Sequence, residues 1–151
     1  SAPLISYNYG AGNKTELKNV FYKGMLFHFI AGVVMTVFAI AVSKPLIHLF
    51  VRSDSQLFAL TLHGLKLYSI SFLICGFNIY ASAFFTALNN GIASATISTL
   101  RTLVFGSGSI LILPQIWGID GIWLAITVAE MLSVFVSAAF VVCNRKKYHY
   151  M

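Results

Sequence analysis

The chain has 151 residues, 58% of them hydrophobic and 9% charged, with a formal net charge of +6 and a mean hydropathy of +0.84. A soluble domain carries roughly a quarter of its residues as charges, so this composition cannot cover a water-facing surface and reads as an integral membrane protein with lipid as its first partner. The basic residues sit mainly between apolar runs rather than on one face, which argues against nucleic acid.

A bilayer core about 30 Å thick asks for about 20 apolar residues per helix. The chain opens SAPLISYNYG, with no initiator Met or basic leader, as a piece cut from something longer would. Residues 1–10 read as the end of a membrane helix. The connection GAGNKTELKNVFYKG then sets Lys14, Lys18 and Lys23 against Glu16. The first full span is predicted at residues 24–43, where His28, Gly32 and Thr36 recur every four residues. His28 lies five residues from Lys23, close enough to the inner surface to be solvated there, with proton transfer as the alternative role. Residues 45–62, which include Arg52 and Asp54, are too interrupted to span and predict an amphipathic segment lying at the outer surface.

The second span, residues 67–88, places Ser71, Cys75, Asn78, Ser82 and Thr86 on one face at steps of four and three. Asn78, at mid-helix, either lines a polar cavity or clamps a neighbour; Ser71 and Ser82 share its face as pathway candidates. The third span, residues 92–117, carries Ser94, Ser98, Thr102 and Gly106 and has to tolerate Arg101. Its GSGS lacks the following lysine of a phosphate loop and reads as glycines that allow flexing or close packing. After the WGID turn the fourth span, residues 121–143, shows Ala125, Ala129, Ser133 and Ser137 on a stripe, with Glu130 near its middle. Residues 144–151 form a basic tail with Arg145, Lys146 and Lys147. Helices in lipid associate through small residues and hydrogen bonds, so these stripes predict a bundle.

The basic connection after residue 10 and the basic tail fall on one side, cytoplasmic by the positive-inside rule. That puts a multi-pass protein in a cell membrane with its C-terminus inside. Trp117 and Trp123 bracket the outer turn, as an aromatic belt would. Cys75 and Cys143 lack metal or redox spacing and read as packing residues. No HExxH, paired acids, Ser/His/Asp set or phosphate loop marks an enzyme, a metal site or a cofactor.

An ionised carboxyl at mid-membrane costs about 2.5 kcal/mol or more. Glu130 therefore faces protein or water, in a structural or conformational role ahead of an ion-coupling one. Arg101 falls about 8 to 14 Å inside the inner surface, counting 1.5 Å per residue, and Glu130 about 6 to 12 Å deeper, so a direct pair forms only at the short end. The reading favours Arg101 as a structural charge, snorkelling or bonding a neighbour's backbone carbonyls, over a transport role.

The pieces PLISYNYGAGN, KPLIHLF, FFTALNNGIASATISTLR and WGIDGIWLAITVAEMLS, in this order over essentially the whole chain, resemble the multidrug and toxic compound extrusion (MATE) family of membrane transporters. The resemblance implies the second lobe of a twelve-helix, two-lobe transporter, an all-α polytopic bundle. Residues 1–10 would end the eighth helix, and the spans from 24, 67, 92 and 121 would be the ninth to the twelfth. It implies secondary active efflux of cationic or amphipathic drugs or metabolites, by antiport with protons or sodium through alternating access, with the N-terminal lobe as partner. Pro3, Tyr7, Asn8, Gly10 and Ala11 fall on the family motif closing the eighth helix. Arg101 and Glu130 fall where many members carry an arginine and an acid. The span 67–88 lacks the acid that a sodium-coupled branch carries there, which leaves sodium binding in this lobe unsupported. The alternatives are a related flippase for lipid-linked sugars, which would need more cationic residues facing the cavity, and a non-transporting scaffold subunit. A membrane enzyme fits worst.

Overall fold

The computed structural model describes residues 2–51 and 55–150; Arg52 and Asp54, placed above in a surface segment, lie outside the described residues. Helix is the only regular structure among them. α1 is Ala2–Gly10, α2 Lys14–Phe50, α3 Ser55–Ser69, α4 Ser71–Ala87 and α5 Gly91–Thr99. A π-helical segment, Leu100–Gly106, leads into α6, Ser107–Trp117, and α7 is Ile119–Tyr148. Four helical stretches are long and apolar enough to cross a membrane: Lys14–Phe50, Gln56–Ala87, Gly91–Trp117 and Ile119–Tyr148. The fold is an all-α membrane helix bundle.

Local chemistry sets the ends. Asn13 and Asn90 accept the backbone N–H groups of Glu16 and Ala93 on their side-chain oxygens, both at 3.2 Å, and so start α2 and α5. Gly118, at φ 58° and ψ −133°, takes a backbone conformation that side chains resist. It lets α7 fold back on α6 so closely that a Cβ on Gly121 would lie 2.2 Å from the Leu113 carbonyl oxygen.

Two predicted boundaries are corrected. Residues 45–62 form no separate element among those described, because α2 continues through Pro45 to Phe50 and the remainder opens α3. Proline removes one hydrogen bond, but membrane helices accommodate it, and the apolar run after it offers no stop signal before the Val51 N–H closes on the Ile47 carbonyl at 2.8 Å. The basic tail is helical to Tyr148 rather than ending at 143. Arg145, Lys146 and Lys147 lie in its last turn, where cations offset the negative end of the helix dipole.

The small-residue stripes are the helix contacts. α2 crosses α4 with Gly32 against the Phe72 carbonyl, and Thr36 Oγ1 donates to Gly32 O at 2.8 Å and across to Ser69 O at 3.2 Å. The densest packing gathers where α1, the start of α2 and the ends of α4 and α7 meet. There Ile5, Phe21, Phe84, Phe85 and Tyr150 are all buried.

Candidate functional site

Three elements supply one polar network inside this apolar bundle. On α4, Asn78 is fully buried. Its Nδ2 donates to the Glu130 backbone oxygen at 2.9 Å and to Glu130 Oε2 at 2.8 Å, and its Oδ1 accepts from Ser137 Oγ at 2.8 Å. One amide thus ties α4 to two points of α7 that lie two turns apart. From the π segment, Arg101 donates through Nε and Nη2 to Glu130 Oε1 at 2.8 and 2.6 Å. The charges neutralise each other, and both carboxylate oxygens are occupied. A buried ion pair adds little to stability over an apolar replacement, yet losing one partner leaves an uncompensated charge, at a cost of roughly 3–5 kcal/mol.

Arg101 is the second residue of the π segment, two past the end of α5. Three positions earlier Ser98 faces α4, hydrogen-bonded to Ser82 Oγ at 2.8 Å. A π segment departs from regular α geometry and is often found at functional sites. Here it joins α5 to α6, and its last residue, Gly106, borders a cavity.

That cavity, about 500 Å³, opens beside the ion pair. Arg101 and Glu130 line it together with Tyr68, Ser71, Phe72 and Cys75. Ser71 Oγ donates to the Tyr68 carbonyl at 2.7 Å, and the end of α3 with the start of α4 presents an aromatic and weakly polar wall.

The predicted residues divide. Glu130, Arg101, Asn78 and Ser71 come together, with Asn78 behind the cavity wall as the clamp. Ser82 does not join them; its hydroxyl bonds Ser94 and Ser98 and belongs to the α4–α5 contact. His28 is elsewhere. Its Nδ1 lies 2.8 Å from Gly24 O, its ring sits 4.8 Å from that of Tyr80, and it borders a separate hollow with Lys23. The motif residues build the α1–α2 corner: Pro3 lies in the first turn of α1 and Gly10 at its end. Asn8 is buried and donates to Leu4 O at 2.8 Å, while Tyr7 is exposed.

Arg101 corrects its own reading. It bonds a side-chain carboxylate and not a neighbour's backbone carbonyls, because its long side chain covers the depth offset and an acid within reach outbids a distant surface. Two contacts escaped the sequence. Ser137, read only as part of the small-residue stripe of the fourth span, donates to Asn78 Oδ1. His63 and Asp120 pair at 3.2 Å, with both side chains about half exposed.

The MatE family profile matches residues 1–107. No curated protein matches the chain. Among solved structures, an inward-facing multidrug resistance MATE family transporter of the MOP superfamily shares the fold, with a TM-score of 0.87 at 18% identity. The match covers 98% of this chain and 34% of that one, so the chain spans about a third of that transporter's length.

Proposed function

Because this chain belongs to the MatE family, we propose that it is the second-lobe part of a secondary active exporter of small amphipathic molecules. The exporter exchanges them for protons or sodium, and a first lobe completes its central cavity. The observation that carries the reading is the Glu130–Arg101 pair in the wall of the cavity, with Asn78 holding Glu130 from behind. A proton arriving on Glu130 breaks the bond between α7 and the π segment while Asn78 keeps α7 on α4. Such a local two-state contact is what alternating access between lobes needs to couple to an ion.

Orientation has support from packing. The Tyr9 and Tyr148 rings meet edge to face at 5.5 Å, which sets the basic α1–α2 connection beside the basic end of α7. The positive-inside rule then assigns both to the cytoplasmic face of the cell membrane.

The test uses the full-length protein in proteoliposomes with an imposed proton or sodium gradient, following ethidium and fluorescein. Gradient-driven uptake of at least one dye is expected. Glu130→Gln should lower it by about tenfold or more, the equivalent of at least 1.4 kcal/mol of lost coupling, with insertion unchanged. No uptake under either gradient, or full uptake in the Gln variant, overturns the proposal.

A further inference from the structure

Glu130 and Arg101 are not equally available to a molecule in the cavity. Both oxygens of Glu130 are engaged, Oε1 by Arg101 and Oε2 by Asn78. A guanidinium carries five N–H donors in a planar fork. The bonds to Glu130 use the edge between Nε and Nη2. The opposite edge, between Nη1 and Nη2, has no partner among the described residues. The Arg101 side chain is 27% exposed against 7% for Glu130. Of this neutral pair, then, the cation faces the cavity. No other charged residue lines it among those described, and Tyr68, Phe72, Ile110 and Ile126 supply aromatic and aliphatic surface.

We propose that this cavity admits amphipathic molecules ending in a carboxylate, which docks bidentately on the Nη1–Nη2 edge of Arg101 while its apolar body lies against Tyr68 and Phe72. Arg–carboxylate pairs favour such fork-to-fork geometry. Because the two edges are distinct, Glu130 keeps its own bonds and holds the guanidinium still. The inference rests on the transporter reading above and narrows its small amphipathic cargo, at this site, to organic anions.

Cys75 lines the same cavity and can report occupancy by its rate of alkylation with a small maleimide. The protein is the full-length transporter with Cys143→Ser and any cysteine outside this chain replaced. The probes are 2-naphthylacetate, 2-naphthylmethylammonium and uncharged 2-methylnaphthalene. The acetate should protect Cys75, and the ammonium no better than the hydrocarbon. Arg101→Gln should weaken protection by the acetate about tenfold or more, as losing one charge-assisted hydrogen bond does. Since that variant leaves Glu130 unpaired, Arg101→Gln with Glu130→Gln removes both charges and should lose the acetate preference in the same way. Protection by the ammonium equal to or better than that by the acetate, or acetate protection intact in the double variant, overturns the inference. If that happens while dye uptake persists, the transporter reading stands. If dye uptake fails under both gradients while the acetate still protects Cys75 through Arg101, the transporter reading falls and the carboxylate site remains.

Discussion

Asn78 holds α4 to α7 with three hydrogen bonds from one amide, and nothing else on α4 takes the second oxygen of Glu130. Asn78→Ala leaves that oxygen and the Ser137 hydroxyl without their partner where water is scarce, at roughly 1–3 kcal/mol for each unsatisfied group. The variant should unfold in detergent at a clearly lower temperature than the parent; melting within a degree of it would rule out the clamp. The ion pair makes a different demand. Arg101→Gln and Glu130→Gln each strand a partner, whereas the double variant strands none. The double should therefore be less destabilised than the sum of the singles by about 1–3 kcal/mol, and additive losses in thermal unfolding would count against a direct pair. Depth in an apolar span picked out Asn78 and Glu130, because an amide and a carboxyl there are conspicuous. Their contact was not legible, since it depends on the rotation of two helices about their own axes. The pairing of Arg101 hid for a related reason: counting residues from a surface fixes depth only to within several ångströms, about the reach of the side chain itself.

At the scale of elements, small residues decide where backbones can approach. A Cβ on Gly121 meets Leu113 O at 2.2 Å and the Pro114 nitrogen at 2.8 Å, both backbone atoms that cannot swing aside, whereas one on Gly108 meets nothing within 4 Å. Gly121→Ala should destabilise the α6–α7 turn by about 1–3 kcal/mol or more through overpacking, while Gly108→Ala should be neutral or slightly favourable by helix propensity. Equal melting temperatures for the two variants would contradict the tight turn. The spans themselves were legible from apolar length, and the stripe His28, Gly32, Thr36 marked the face of α2 that packs on α4. Helix ends read less well. Residues 45–62, with Arg52 and Asp54, read as too interrupted to span, yet a proline costs a helix one bond and not its continuation, and the residues directly after Pro45 are mostly apolar. The π segment had no signal in the sequence beyond the glycines near its end, because the pattern of Ser94, Ser98, Thr102 and Gly106 fits a regular α-helix equally well.

Across the whole molecule, the chain closes on itself at the basic end of the bundle. His149, at φ 56°, caps α7 and turns the chain, so that Tyr150 enters a cluster with Phe21 and Phe84, each at a 4.9 Å ring separation, and donates its hydroxyl to Val141 O at 2.7 Å. The tail therefore connects the start of α2, the end of α4 and the end of α7, elements far apart in sequence. Burial pushes the Tyr150 hydroxyl above its ordinary value, which gives the contact a pH signature. A group whose folded pKa is raised contributes fully below its unfolded value, about 10 for tyrosine, and loses that contribution as pH rises beyond it. Tyr150→Phe keeps the ring but loses the hydrogen bond, so it should be less stable than the parent by about 1 kcal/mol near neutral pH. That gap should shrink between about pH 10 and 11, as the hydroxyl ionises in the parent's unfolded state while the variant's ring has no proton to lose. Thermal unfolding of the two proteins in one detergent across this range measures it. A gap that stays constant or widens in alkali would mean that the Tyr150 hydroxyl does not lock the tail to α7.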